Sequence, residues 1–278
     1  MAHYREMRVD SNALYADTRP LFKSLRANPM LQDPLFYMMA IPAILIIGIS
    51  KGGFGGALAV VAVPMLTFAV DPVLAAAILL PVLCTMDLIG VKAYWKQWDM
   101  TLIKNLIPAA VVGILLGSLS FHYFNTSAVR LLLGVIAIGF ALQYWFKRSD
   151  NKKAPSIFWG RFWSSIAGFT SFVAHAGGPP ISVYLLPLKL EKSVYQATTV
   201  LFFTLINYIK LIPYFWLGQL NTDNLITSLV LLPLAFVGMY LGIVLHHRIP
   251  EQLFYRLAYV FLFITGLKLL WDGITGLL

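Results

Sequence analysis

Ten apolar segments follow one another along the chain from Leu35 onward, and they constrain its fold more than any other feature. Most of them approach the length of about 20 helical residues that a hydrocarbon core of about 30 Å requires. Backbone polar groups in lipid must be satisfied within the structure itself, which favours helices. The segments are 35–50, 57–70, 73–92, 102–121, 127–146, 158–174, 181–190, 193–217, 223–245 and 252–276. The sequence therefore predicts an all-α, polytopic membrane protein.

The composition excludes an ordinary soluble domain. Of the 278 residues, 59% are hydrophobic and 12% are charged, against about 45–50% and about 25% in soluble domains. The 21 Lys and Arg outnumber the 12 Asp and Glu, but they lie at the ends of apolar runs instead of forming a basic stripe. We therefore interpret the net charge of +9 as a signal of membrane topology, not of nucleic-acid binding.

The chain divides into four parts. Residues 1–34 form a polar, partly amphipathic arm, which either lies on the membrane surface or is a disordered tail. The densest basic loop lies within the linker 147–157, which the positive-inside rule places in the cytoplasm. This linker separates a first transmembrane repeat, 35–146, from a second, 158–278.

Two stretches share nearly the same spacing of Pro, Gly, Gly, His and Arg, with steps of 5, 4, 5 and 8 residues in one and 5, 4, 5 and 9 in the other, which predicts a duplicated architecture. They are Pro108, Gly113, Gly117, His122 and Arg130, and Pro233, Gly238, Gly242, His247 and Arg256. Inverted copies place most basic loops on one side of the membrane, although the basic arm then lies on the other side. We favour inversion, and a parallel arrangement remains the alternative.

Two segments are too short to cross the membrane, and each follows a glycine cluster. At about 1.5 Å per helical residue, 181–190 reaches about 15 Å and 57–70 about 21 Å. Each half is therefore expected to contain a broken or re-entrant helix beside a glycine-rich break.

The first glycine cluster combines Lys51 with Gly52, Gly53, Gly55 and Gly56. Glycine leaves backbone N–H groups uncovered, so these amides could bind an anion in a cavity, with the lysine adding a positive charge. The alternative is that the glycines allow close helix packing while the lysine extends to the membrane interface. Adjacent glycine pairs favour a loop, and we therefore expect a substrate-binding role.

The second cluster occupies the matching place in the second half, and it ends in two prolines that suit the start of a short helix. Its polar members are Thr170, Ser171 and His175, followed by Gly177 and Gly178. His175 precedes the expected helix N-terminus, where it could donate to an anion or carry a proton. A purely structural histidine is the alternative.

Asp87 lies deep inside the segment 73–92. A carboxylate there costs at least about 2.5–3.5 kcal/mol, so it should face the bundle interior and either pair or titrate. Its candidate partners are Lys92, Lys51 and Lys210, and Asn207 lies one helical turn before Lys210. We expect Asp87 to couple transport to protons and Asn207 to contact substrate, although Lys210 could simply extend to the interface.

No catalytic or metal-binding motif accompanies these residues. The sequence lacks an HExxH motif, a P-loop and paired carboxylates within one apolar run. The single cysteine, Cys84, forms neither a disulfide nor a thiolate metal site within the chain. We therefore expect no enzyme, cofactor or metal. Two alternatives stay open: a passive anion channel, and a membrane redox subunit with His122, His175, His246 or His247 as haem ligands.

These motifs resemble the TauE/SafE family of sulfite exporters and anion permeases. The resemblance covers about 35–276 and rests on Gly48 to Gly56 with Pro64, on Gly168 to Pro180, and on the helices 108–117 and 233–242. It implies a multi-pass permease of the bacterial inner membrane with duplicated halves. The implied partners are sulfite, sulfoacetate or another small organic anion and the lipid bilayer, with protons as a candidate coupling ion and a homo-oligomer left open. Ser50-Lys51 departs from the lysine-free first motif of many members.

Overall fold

The computed structural model describes residues 29–56, 59, 62–120, 126–146 and 155–276, and in these residues the chain is helical without strands. The expected N-terminal arm falls almost wholly within 1–28, and most of the basic linker within 147–154. Both therefore lie outside the described residues.

Ten α-helices follow a short 3₁₀ turn at Pro29–Gln32 in the described part of the chain. They are α1 (Pro34–Gly53), α2 (Ala62–Leu66), α3 (Pro72–Ala93), α4 (Met100–Leu119), α5 (Thr126–Phe146), α6 (Ile157–Ala174), α7 (Gly178–Leu185), α8 (Lys192–Trp216), α9 (Thr222–Arg248) and α10 (Glu251–Thr275). Nine of them begin within three residues of an apolar segment. The exception is α2, a helix of five residues.

Six of the described helices, α1, α3, α4, α8, α9 and α10, are long and apolar enough to cross a membrane. The eight residues of α7 and the five of α2 are too short to do so. The predicted all-α, polytopic class is confirmed.

Acidic or amide side chains begin several of the long helices. Asp71 and Asp99 accept hydrogen bonds from amides in the first turns of α3 and α4. Glu191 and Asn221 do the same for α8 and α9. These side chains satisfy N–H groups that have no partner within the helix, so much of the sparse acidic content defines helix ends.

The most extensive helix contacts join the two halves of the chain. Helix α1 packs against α9, α4 against α6, and α5 against α10, while α3 lies between α8 and α9 and α8 also contacts α4. If each helix of the first half is exchanged for the helix five places later, α1 for α6 and so on to α5 for α10, the same set of contacting pairs results. A duplicated chain predicts that pattern, and the duplication itself remains our proposal.

Glycines permit close crossings between helices of the two halves. A Cβ on Gly113 would lie 1.9 Å from the backbone oxygen of Ser165, across the α4–α6 contact. Across the α1–α9 contact, a Cβ on Gly242 would lie 2.6 Å from the oxygen of Ile49, and one on Gly53 would lie 2.7 Å from the oxygen of Gly242. Two glycines that share a place in the sequence spacing, Gly113 and Gly238, thus each lie where two backbones meet.

The substitution Gly113→Ala is expected to lower the free energy of unfolding by about 2–3 kcal/mol, because the added carbon overlaps backbone that cannot rotate away. Gly139→Ala on α5 is the matched control, since its Cβ meets nothing within 4 Å. That change should be neutral or slightly stabilising, because alanine favours helix more than glycine does. Unfolding in detergent measures both, and equal stability of the two variants would contradict the tight crossing.

Candidate functional site

Polar side chains from four helices meet where α1 and α6 end. The Lys51 ammonium, in the last turn of α1, lies 2.6 Å from Oδ1 of Asp87 on α3. The other carboxylate oxygen of Asp87 accepts a 2.7 Å hydrogen bond from the side-chain amide of Asn207 on α8. Asp87 is fully buried and Lys51 is 5% exposed, so this is an ion pair inside the bundle. The Lys51 ammonium also lies 5.4 Å from the ring centroid of Phe203.

A second basic group lies beside this pair. The ammonium of Lys210, also on α8, donates to the backbone oxygen of Ser171 at 2.9 Å, to its hydroxyl at 3.0 Å, and to Nδ1 of His175 at 2.9 Å. Nε2 of His175 lies 2.9 Å from the backbone oxygen of Ala76 on α3. Since an ammonium has no acceptor, Nδ1 accepts and Nε2 carries the hydrogen, which assigns a neutral histidine.

The break between α6 and α7 explains where His175 lies. His175 ends α6 in the left-handed conformation, with φ 51° and ψ 27°, a region that few non-glycine residues adopt. The hydroxyl of Thr170 lies 3.1 Å from the oxygen of Ala176 and closes this turn. Helix α7 then begins at Gly178, with the two prolines in its first turn, where a missing N–H costs nothing.

The break after α1 is held by α8. Gly55 and Gly56 have φ of +64° and +75°, which glycine adopts without strain. The side chain of Gln196 accepts from the amide of Gly55 at 2.7 Å and donates to the backbone oxygen of Lys51. One side chain therefore fixes the start of the loop and the helical turn that carries the lysine.

Three carbonyl groups at the end of α1 are each capped by a side chain from a different helix. The oxygen of Lys51 accepts from Gln196, that of Gly52 accepts from the hydroxyl of Tyr94 at 2.6 Å, and that of Gly53 lies 3.1 Å from Nδ1 of His246. Such carbonyls have no partner within a helix and are costly when buried. Their capping sets the position of Lys51 relative to α3, α8 and α9.

A small cavity lies between these elements. Its walls include Lys51, Gly56, Ser171, His175, Gly178 and Asn207, with Leu83 and Phe203 among its apolar members. The free volume of about 20 Å³ accommodates about one water molecule. In this conformation the cavity is therefore too small for a molecule much larger than water.

The four glycines of the first cluster have several structural contacts. Gly52 and Gly53 belong to α1 and pack against the backbone of α9. The amide of Gly55 is taken by Gln196, and that of Gly56 donates to the oxygen of Ser50 at 3.0 Å. Only Gly56 of these four reaches the cavity wall. Helix packing and loop geometry account for these contacts in the present conformation, and anion binding by the cluster stays a prediction.

Two expected ligands of the second cluster also have other partners. The Thr170 hydroxyl bonds backbone oxygens at the α6–α7 break, and the residue does not line the cavity. Both ring nitrogens of His175 are occupied, although the ring forms part of the wall. Gly177 packs against Ser171 and Phe203, whereas Gly178 lines the cavity and begins α7.

A family model described as Sulfite exporter TauE/SafE matches residues 40–269 of the chain. The chain belongs to this family. It is accordingly a multi-pass membrane protein of a sulfite exporter-type transporter family. No curated protein and no solved structure matched the chain. The matched region of this TauE/SafE member includes both helix breaks and every residue of the polar cluster.

Sequence reasoning missed two residues that organise the site in this TauE/SafE protein. Gln196 was not singled out, and Lys210 was considered only as a partner of Asp87 or as an interfacial side chain. Both are fully buried. With Phe203 and Asn207 they recur on α8 at intervals of seven, four and three residues, which places all four on one helical face. The presence of three polar residues, Gln196, Asn207 and Lys210, on one face of an apolar helix was the available signal.

The cluster carries an excess of positive charge. It contains two ammonium groups and one carboxylate, and the neutral form of His175 adds nothing. A net buried charge in a membrane protein is costly unless a counter-ion compensates it. The cavity wall of this TauE/SafE member is therefore electrostatically suited to an anion.

Proposed function

We propose that the chain is a secondary transporter that moves sulfite, an organosulfonate or a related small organic anion across the bacterial inner membrane, coupled to protons. The observation that carries this proposal is the pair of buried lysines and the single carboxylate around a cavity where two helices break. Transporters commonly bind substrate at such breaks near the bilayer midplane, between the repeats. The family membership supports a transported anion.

Asp87 and Lys51 supply the coupling. While Asp87 is ionised, its carboxylate engages the lysine at 2.6 Å and competes with any anion for it. A proton on Asp87 removes that competition and leaves the ammonium, which lines the cavity, available to substrate. A proton bound to Asp87 thus favours binding of the anion, and a bound anion favours binding of the proton. By thermodynamic linkage this couples the movement of the two.

Substrate entry requires the walls to move, because the cavity has room for about one water molecule. The short helices α2 and α7 and the breaks before them are the elements suited to that motion. Helix α7 begins at Gly178 on the wall, so the positive end of its dipole adds to the attraction for an anion, although the two prolines that follow have no N–H to donate.

The test is uptake of labelled sulfite into proteoliposomes, with sulfoacetate, sulfate and an organic carboxylate as competitors, with and without a pH gradient. The wild type should show saturable uptake that an acidic outside accelerates. Lys51→Ala should reduce uptake to the level of empty liposomes, since the cavity then loses its only lining ammonium among the described residues. Lys104→Ala, which alters an exposed lysine on α4, is the control and should keep wild-type uptake.

Three outcomes would count against the proposal. Uptake that never saturates and ignores the pH gradient would indicate a passive anion channel. Full activity of Lys51→Ala would remove the cavity as the substrate site. If none of the four anions moves or competes, the sulfur-anion substrate class fails.

A further inference from the structure

The hydrogen bonds of Lys210 differ from those of the other buried lysine. Its ammonium has three acceptors at 2.9–3.0 Å, which are two oxygens of Ser171 and Nδ1 of His175. Three acceptors match the three donors of a charged ammonium. All three are neutral, and within the described residues no carboxylate lies at ion-pair distance from Lys210. Its charge is therefore solvated by polar groups but not compensated.

The position of Lys210 brings this charge to the cavity. Asn207 lines the wall, and Lys210 follows it by one turn on the same face of α8. The residues that accept from Lys210, Ser171 and His175, form another part of the wall. The ammonium thus lies one layer of side chains behind the cavity, at a distance where a charge in a medium of low polarity still acts strongly.

The charge of the site depends on Asp87. When Asp87 is ionised, it offsets one of the two lysines and the site carries one net positive charge. When Asp87 binds a proton, Lys51 and Lys210 leave two. A bound monoanion would then compensate only one of the two lysine charges, whereas a bound dianion would compensate both.

We propose that Lys210 determines the charge of the transported anion, so that the protonated site selects a doubly charged oxyanion over a singly charged one of similar shape. This rests on the proposed anion-transport function and narrows its substrate class to dianions. Lys210 acts through its electric field and does not touch the substrate. Its removal should therefore change the preference between anions of different charge more than it changes the shape of the site.

The test compares sulfate with methanesulfonate, which both present a tetrahedral sulfur but differ by one charge at all pH values near neutrality. Their dissociation constants are measured on the purified protein in detergent. The wild type should prefer sulfate. In Lys210→Met the ratio of the two constants should fall by about tenfold or more, because only the dianion gains fully from a second charge. Lys210→Arg keeps the charge and should keep the preference.

Two further variants make the result specific. Lys210→Gln retains donors for Ser171 and His175 without the charge, and it should lose the preference as the methionine variant does even if the latter folds poorly. Lys92→Met removes an exposed lysine from α3 and should leave the ratio unchanged. If both neutral variants bind the anions with the wild-type ratio, the role of Lys210 is wrong while the proposed function stands. If the wild type binds neither anion, the anion site itself fails.

Discussion

Breaking the buried ion pair should produce the largest loss of stability of any change considered for this protein. Lys51→Met and Asp87→Asn should each lower the free energy of unfolding by about 3–5 kcal/mol, because each leaves the other charge buried without its partner. The two groups are 5% and 0% exposed and lie 2.6 Å apart. The double variant removes both charges and should recover most of that loss.

Equilibrium unfolding in mixed detergent measures the three variants and the wild type as a double-mutant cycle. Coupling between the sites should be a large fraction of either single effect. Additive losses, with the double variant less stable than both single variants, would show that the two side chains act independently and would contradict the ion pair.

Substrate should partly restore the Asp87→Asn protein. A bound anion takes the place of the lost carboxylate beside Lys51, and a ligand that binds only the folded state stabilises it by an amount that grows with the logarithm of its concentration relative to its dissociation constant. Sulfite should therefore raise the unfolding midpoint of Asp87→Asn more than that of the wild type. An equal shift in the two proteins would indicate that the anion binds away from Lys51.

Asp87→Asn should also uncouple transport from protons. The amide cannot take up a proton, so Lys51 remains available to the anion at every pH. Downhill uptake should continue with little pH dependence, while accumulation driven by a pH gradient should disappear. Asp272→Asn is the matched control, because Asp272 also pairs with a lysine, Lys268, but on α10 and away from the cavity. That variant should keep wild-type coupling.

The helical architecture could be predicted from the sequence because its causes are local. Apolar runs of membrane length end at acidic caps, glycines and prolines, and nine of the ten helices begin within three residues of their segment. The helix α2 is the exception. Its segment is 57–70, and among the described residues of that segment the α-helix is Ala62–Leu66 and a turn follows from Thr67, because hydropathy alone does not distinguish a helix from a turn.

The ion pair was predictable in part because a carboxylate deep in an apolar segment needs a partner, and Lys51 was one of three lysines considered for Asp87. Which of the three lysines pairs with Asp87 depends on how α1, α3 and α8 pack against one another. The spacing of residues along one helix does not predict that packing. Lys210 is 18 residues into its segment, where a lysine that extends to the interface fits the same pattern. Only its contacts with Ser171 and His175 place it in the site.

The role of the glycines could not be read from their spacing. Adjacent glycines occur both in loops and at close helix crossings. Gly55 and Gly56 form a loop with positive φ, whereas Gly52 and Gly53 lie at a helix crossing. The deciding fact is the approach of α9, whose Gly242 meets Gly53. That partner lies in the other half of the chain, so no local signal reveals it.

Proton movement driven by the substrate tests the central claim most directly. Proteoliposomes that contain a pH-sensitive dye and start without a pH gradient are given an inward gradient of sulfoacetate, whose acid groups remain ionised from about pH 6 to 8. The wild type should acidify the interior as the anion enters, and Asp87→Asn should take up the anion without acidification. Anion entry into wild-type vesicles without protons, or acidification that persists in Asp87→Asn, would contradict coupling through the Lys51–Asp87 pair.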